Sequence, residues 1–537
     1  RDRSVSRGLG DVYKRQVGYG TQRKISNIGA QSSMKLEDIK TPSASLTTTL
    51  AGRLAGVVAV QRTGEPGKDA ADIWIRGIAT PNTATPLILV DGVERAFNDI
   101  DPEDIESLTT LKDASATAVY GVRGANGVII IKTKPGKIGK PTISADYYES
   151  FTRFTKMVDL TDGVSYMKAA NEALRNDGLA TKFTDSQIQN TILGKDQYLY
   201  PNVDWLNEIF NDWGHNRRVN VNVRGGSEKV SYYASVSYFN ETGMTVTDKS
   251  INTFDSKMKY SRYNFTTNLS IDVTPTTKVE IGAQGYLGEG NYPAISSKDL
   301  YNAAMSISPV EYPKMFFING EAYIPGRSTN NNFNNPYSQA TRRGYDNLTK
   351  NQIYSNLRIT QDLDMLTKGL KLTAMYAFDV YNEIHVHQDR AESTYYFLDT
   401  NVPYDLDGQP ILQRIYTGTN VLSYKQETSG NKKTYLEASL NYDRAFGDHR
   451  VSGLFLFNQQ QKLLYPKGTL EDAIPYRMMG IAGRATYSWK DRYFAEFNIG
   501  YNGAENFSPK NRYGTFPAYG VGWVISNEKF WEPLSKV

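Results

Sequence analysis

Cysteine is absent from the 537 residues, which excludes a disulfide scaffold and any thiolate metal site. Histidine is scarce, with 4 in the chain, so imidazole chemistry has few places to occur. No window approaches the roughly 20 apolar residues of a spanning helix. A chain of this kind that crosses a membrane must do so as strands closed into a barrel. A charge excess is lacking too. The net charge is +4 with 22% charged residues, which signals neither a nucleic-acid groove nor a funnel for acidic substrates, and no nucleic-acid partner is expected. What is abundant is tyrosine, 37 residues against 21 Phe and 6 Trp. Its flat apolar body and wet hydroxyl suit an aqueous–apolar boundary or a sugar-stacking surface.

Residues 111–134, LKDASATAVYGVRGANGVIIIKTK, space Gly121, Gly124 and Gly127 as G-x-x-G-x-x-G. A phosphate-binding loop needs a strand, then the glycine turn, then a helix whose N-terminus faces the phosphate. Here the order is reversed. The helix-prone Asp113–Tyr120 precedes the glycines and the strand-like Val128–Ile131 follows them. The spacing therefore predicts helix, tight turn and buried strand, with Gly121 ending the helix in a left-handed conformation and Gly124 and Gly127 permitting close backbone approach.

The first 16 residues, RDRSVSRGLGDVYKRQ, fit nothing downstream and read as an adaptor-derived segment. Residues 17–137 read as a compact α/β unit in which short strands (Gly56–Arg62, Asp72–Gly77, Pro86–Gly92) alternate with short helices. In DPEDIESLTTLKDASA, Asp101 is the expected N-cap and Pro102 the first helical residue, with Glu103 and Asp104 favourable in the first turn. Capping accounts for these acids without a metal or a general acid.

From about residue 138 the pattern changes to long period-2 segments. Tyr263, Phe265, Leu269, Ile271 and Val273 fall on one face, opposed by Asn264, Thr266, Asn268, Ser270 and Asp272. Pro275–Thr277 makes a turn, and similar hairpins turn at Gly225–Gly226, near Gly447–Asp448 and at Lys490–Asp491. Strands of about ten residues, with tight turns at one end and long loops at the other, predict an outer-membrane barrel. Soluble sandwich strands are nearer five or six residues. The alternative is a surface glycan-binding β-protein whose apolar strand faces are sealed in a core. Residues 165–174, SYMKAANEAL, have apolar positions at helical spacing and predict a packed loop helix. His385 and His387 share one strand face, as a metal pair would, but no third ligand is evident, and no metal site is assigned.

Both halves resemble one family. VGYGTQRKISNIGA (Val17–Ala30), LAGRLAGVVAV (Leu50–Val60), IWIRGIAT (Ile73–Thr80), LILVDGV (Leu87–Val93) and residues 99–141 are similar to the plug domain of SusC/RagA-like TonB-dependent outer-membrane receptors. Residues 200–210, 224–244, 356–379 and 511–531 look like barrel segments of that family in order. One departure is Tyr501-Asn502-Gly503, where the family often carries Arg-Asp-Gly. The resemblance implies a small α/β plug followed by a transmembrane antiparallel barrel, 22-stranded in the family, of which residues 138–537 supply about half to two-thirds. It implies a Gram-negative outer-membrane location, import of oligosaccharides or, as runner-up, peptides, and no cofactor, catalytic residue or covalent chemistry. The partners it implies are a SusD-like surface lipoprotein, TonB with ExbB/ExbD, and outer-membrane lipid.

By the same resemblance, Arg76 and Arg123 face barrel-wall carboxylates and latch the plug, with ordinary salt bridging inside the plug as the alternative. Gly77, Asp91, Gly92, Asp113, Tyr120, Gly121, Gly124, Asn126 and Gly127 form the plug signature in a structural role. The loop at residues 79–86 would lie near the plug apex, where Thr80, Asn82, Thr83 and Thr85 carry small hydrogen-bonding groups suited to a ligand.

Overall fold

The computed structural model describes residues 14–17, 20–23, 31–35, 45–78, 80, 84–250, 252–329, 335–466, 468–470 and 472–531. Its first unit is a five-stranded mixed sheet built from β1 (Gln31–Lys35), β4 (Leu87–Val90), β5 (Val93–Glu94), β6 (Ile105–Leu111) and β7 (Val128–Thr133), in the order β1-β6-β7-β4-β5. A separate hairpin pairs β2 (Val57–Gln61) with β3 (Ala71–Ile75). Leu46, Leu50, Val90, Phe97, Leu108, Ile129 and Ile131 form its dry core. β7 is the central strand, parallel to β4 and antiparallel to β6. Buried on both faces, it has no polar residue in Val128–Ile131, as a central strand requires.

The sequence predicts a helix from Pro102 onward, but only one 3-10 turn forms there, Pro102–Asp104, and β6 begins at Ile105. Asp101 does cap that turn, its Oδ1 accepting from the Glu103 amide at 2.8 Å. The capping chemistry is local to one turn. Beyond it Ile105, Leu108 and Leu111 are buried in the sheet, and that burial overrides the weak helical propensity.

The second unit is a twelve-stranded antiparallel meander: β8 (Gly139–Thr152), β9 (Gly214–Gly226), β10 (Val230–Thr242), β11 (Lys259–Asp272), β12 (Thr277–Pro293), β13 (Gly344–Asp362), β14 (Leu370–Asp389), β15 (Lys425–Phe446), β16 (His449–Tyr465), β17 (Tyr476–Trp489), β18 (Tyr493–Ala504) and β19 (Tyr513–Trp523). Each strand pairs with its sequence neighbours, and β8 and β19 are not paired with each other. The expected turns are found at residues 273–276, 447–448 and 490–492. Lys490 and Asp491 both take positive φ, as a tight hairpin turn with right-twisted strands requires. The turn expected at Gly225–Gly226 falls slightly later, at residues 227–229, because both glycines stay in register with β10.

Strand lengths run from 11 to 22 residues, beyond the roughly ten needed to cross a bilayer. The excess projects toward the long-loop end. There Trp205, Leu206, Ile209, Leu300, Tyr312, Met315 and Tyr337 make a second, separate core among the loops. The predicted loop helix is present as α1 (Gly163–Asn176), capped by Asp162 and burying Met167.

The strand faces decide between barrel and sandwich. Tyr263 and Phe265 are 47% and 40% exposed, while Asn264 and Thr266 between them are 5% and 3% exposed. On β14, Leu372 and Tyr376 point out, and Met375, Ala377 and Asp379 are buried against the first unit. A sandwich would hide the apolar row. Here it is the polar row that is hidden, as in a wall with lipid outside and polar contacts within.

Candidate functional site: the plug seat

The first unit sits against the inner face of the wall, and one segment, Asp91–Asp104, supplies most of the polar contacts. It begins at a tight turn in which Asp91 and Gly92 have φ of 52° and 93°. The Asp91 carboxylate accepts from the Thr133 amide and hydroxyl at 3.0 and 2.9 Å, fixing the turn to the central strand. Its carbonyl accepts from Arg358 of β13 at 2.9 Å.

Arg95 follows, with a side chain fully buried. Its Nη2 and Nε donate to the two oxygens of Asp379 on β14 at 2.6 and 3.0 Å. Nη2 also donates to the Ser355 carbonyl at 3.0 Å, and the guanidinium lies 4.9 Å from the Tyr354 ring. A planar fork held by two carboxylate oxygens is the geometry arginine provides and lysine does not. Beside it, Val93 packs on Met375, Ala377 and Tyr435.

Glu94 forms a second node. Lys433 of β15 contacts its carboxylate at 3.0 Å and donates to its carbonyl at 2.6 Å, Gln460 of β16 donates at 3.0 Å, and Arg123 of the plug pairs with it. Burial alone would raise the Glu94 carboxyl, but the Lys433 ammonium and Arg123 guanidinium outweigh it and hold the group at about 2. It stays ionised at any ordinary pH.

Asp99 and two of the acids read as capping residues, Asp101 and Asp104, complete the belt. Asp99 pairs with Arg262 of β11 at 2.7 Å, and Asp101 with Arg218 of β9 at 3.1 Å. Asp104 is enclosed by the wall and accepts from the Tyr233, Ser235 and Thr266 hydroxyls at 2.8, 2.5 and 2.6 Å. Burial, helped by the nearby Asp101 charge, pushes the Asp104 carboxyl from the ordinary 3.8 up to about 6, against the pull of those hydroxyls.

A group whose pKa rises on folding binds its proton more tightly in the folded state. Its contribution is fully present below about pH 4 and is lost as pH climbs through about 6. The urea midpoint for releasing the plug is therefore expected to fall between pH 4 and pH 7 in the full-length receptor. Asp104→Asn is expected to reduce that slope without abolishing it, since burial also raises Asp69 to about 6. A midpoint that rises over this range would refute the assignment.

The glycines are explained by contact. Gly121 has φ 58° and ψ −142°, a conformation open essentially to glycine. A Cβ there would stand 1.8 Å from Asn502 of β18, and one on Gly500 would stand 2.5 Å from the Ala118 carbonyl. Plug and wall thus meet backbone to backbone at this point. Gly124 and Gly127 serve the interior of the plug, their absent Cβ atoms facing the Thr117 carbonyl at 2.6 Å and Ile75 at 2.8 Å. Tyr120 is buried with Leu89 and Ile130 of the plug and Leu454 and Leu456 of β16.

Arg76 and Arg123 do not face barrel carboxylates among the described residues. Arg76 pairs with Asp113 at 2.6 Å, half exposed, and Arg123 with Glu94, both inside the plug. Arg123 reaches the wall only indirectly, through the Glu94–Lys433 contact. Arg95, which the sequence reading passed over, does meet a wall carboxylate directly. The sequence signal available for it was a charged residue three positions past the Asp91–Gly92 turn. In the apex loop, Asn82 and Thr83 lie outside the described residues, Thr85 is exposed, and the Thr85 carbonyl accepts from Asn126 at 3.4 Å. Gly77, after Arg76, has φ 93°.

A cavity of ≈ 320 Å³ remains between the seat and the wall. Asp99, Asp101, Gln352, Tyr286, Tyr354 and Tyr381 are among its lining residues.

A small α/β unit filling a strand wall whose apolar side faces outward defines the class: a plugged outer-membrane β-barrel receptor of the TonB-dependent kind. Residues 23–128 match the family model "TonB-dependent Receptor Plug Domain". The chain is 27% identical to the TonB-dependent receptor SusC of Bacteroides thetaiotaomicron over 96% of its length and 51% of that protein's. It is 26% identical to TonB-dependent receptor P3 of Formosa agariphila, over 96% of this chain and 49% of that one. The chain thus spans about half the length of the curated relatives it matches. Among solved structures, the RagAB peptide importer in its closed-closed state has the same fold, with a TM-score of 0.72 at 20% identity over 94% of this chain and 58% of that one. The siderophore receptor PirA of Acinetobacter baumannii is more distant, at 0.51 and 14% over 92% and 59%. Within the class the chain is SusC/RagA-like, a protein of the Gram-negative outer membrane.

Proposed function

We propose that the full-length receptor imports oligosaccharides across the outer membrane as the SusC-like channel beneath a SusD-like lipoprotein lid, energised by TonB with ExbB/ExbD. The observation that carries this reading is the chemistry of the seat. Among the described residues, apart from the Tyr120 patch and the small Val93 cluster, the plug is held by ion pairs and hydrogen bonds to the wall. Such contacts exchange for water as the plug moves, whereas a continuous apolar interface would have to expose its whole area at once. A plug that must be dislodged by a pull from the periplasm is better seated this way. No covalent step is required.

The substrate class rests on less. The Tyr- and amide-lined cavity and the tyrosine-rich residues 392–405 suit sugar rings and hydroxyls. The SusC relative supports a receptor of this type, and the RagAB peptide importer's likeness in fold keeps peptides as the second reading. The apex loop with Thr80, Asn82, Thr83 and Thr85 remains the proposed ligand-facing edge of the plug. The test is binding to the detergent-purified full-length receptor with its lipoprotein partner, using panels of oligosaccharides and of short peptides. Saturable oligosaccharide binding in the micromolar range or tighter is expected. Saturable peptide binding alone would reassign the cargo, and a receptor recovered from the soluble fraction would overturn the importer reading.

A further inference from the structure

We propose that Asp346, His385 and His387 form a binding site for a divalent transition-metal ion such as zinc, on the lumenal wall at the long-loop end of β13 and β14. The sequence offers two histidines at i and i+2, and pairing supplies the third ligand. Asp346 stands directly across from His387 in the β13–β14 register. All three lie on the inward row with Leu348 and Asp379, which are buried.

The separations suit a small ion. His387 Nδ1 is 3.3 Å and His385 Nδ1 is 3.9 Å from Asp346 Oδ1, and one ligand atom from each residue falls within 4.8 Å of the others. Nitrogen and oxygen ligands held at about 2.0–2.2 Å in a tetrahedron stand roughly 3.3 Å apart. The two Asp346–histidine separations are thus already within about 0.6 Å of the spacing an ion would impose. The two imidazole rings are nearly parallel, 22° between planes, with their centroids 5.7 Å apart.

Two further observations point to a ligand. Asp346 Oδ1 is buried and accepts no hydrogen bond among the described residues, a costly state for a carboxylate oxygen without a cation. The other nitrogen of His385, Nε2, contacts Glu383 Oε1 at 2.8 Å, and Glu383 is itself bound by the Tyr381 hydroxyl. A carboxylate that fixes the distal nitrogen of a metal-binding histidine is the usual outer support of such sites. Two imidazoles favour zinc, nickel or copper over calcium and magnesium, which take oxygen ligands. Three protein ligands leave at least one coordination position open to the lumen.

The site lies beside the plug. Tyr292, across from Asp346 in the β12–β13 register, donates to the Pro66 carbonyl at 2.8 Å and carries Lys68 over its ring at 4.1 Å. Lys68 is partnered by Glu65 at 2.7 Å, and Lys425, across from His387 on β15, by Glu427 at 2.5 Å. Among the described residues neither ammonium forms an ion pair with the cluster, the Lys68 charge acting on Asp346 only from a distance.

The experiment is calorimetric titration of Zn²⁺, and separately of Ca²⁺, into full-length receptor purified without a histidine tag and stripped with chelator. One zinc site of micromolar or tighter affinity is expected, with no calcium binding at that site. His385→Gln with His387→Gln is expected to abolish it, and Glu383→Gln to weaken it by about 10–100-fold. Retained heat-modifiable mobility on gels shows that each variant is folded. X-ray absorption on the zinc-loaded receptor is expected to show a nitrogen and oxygen shell at about 2.0–2.1 Å. Zinc binding of equal strength in the folded double-histidine variant, or no zinc binding in the parent, would overturn the proposal.

Discussion

Replacing Arg95 with methionine is expected to lower the stability of the seated plug by about 3–5 kcal/mol, because it leaves the Asp379 carboxylate buried without its partner. Asp379→Leu is expected to cost a similar amount, for the mirrored reason. The double variant is expected to recover most of the loss, since a buried ion pair replaced by well-packed apolar groups is often neutral or stabilising. The contrast isolates the pair from the size of the side chains. Urea midpoints for protease access to the plug in the full-length receptor, taken as a double-mutant cycle, provide the measurement. Additive losses, or single losses below about 1 kcal/mol, would show that the bidentate contact is not the seat's main polar anchor.

The second large effect belongs to Gly121. Valine there would have to adopt φ 58° and ψ −142°, a strain of about 1–3 kcal/mol, and would drive its Cβ into the Asn502 amide. Because Gly500 needs the same closeness from the other side, the wall has no room to yield. Gly121→Val is expected to unseat the plug and cut the amount of receptor in the outer membrane several-fold, as read by quantitative immunoblot of that fraction. Asn502→Ala in the same background is expected to restore part of it by removing the colliding amide. Unchanged levels in Gly121→Val would mean that the contact with β18 is not required for assembly.

These two sites show where a sequence reading reaches and where it stops. The hairpin at Phe446–His449 and the alternation from Tyr263 to Asp272 are written in neighbouring residues, and both were legible. The glycine spacing was legible as a demand for close packing, but not which of the three glycines faces the wall, because Asn502 lies far along the chain. Arg95 and Asp379 are separated by 284 positions. Nothing local marks either as a partner, whereas Arg76 and Arg123 sit in recognisable Arg-Gly motifs and drew the latch role. Asp101 and Asp104 were read through their local capping chemistry, which is real for Asp101 and silent about the wall residues that close on both. The third metal ligand was hidden for the same reason, since strand pairing joins Asp346 to His387.

The central claim is that this plug gates an energised import path, and uptake by whole cells tests it most directly. Cells carrying the full-length receptor and its lipoprotein partner would be given a labelled oligosaccharide that the purified complex binds, with and without TonB. The account predicts surface binding in both strains and accumulation only where TonB is present, with Arg95→Met altering accumulation and not surface binding. Equal accumulation without TonB would contradict it.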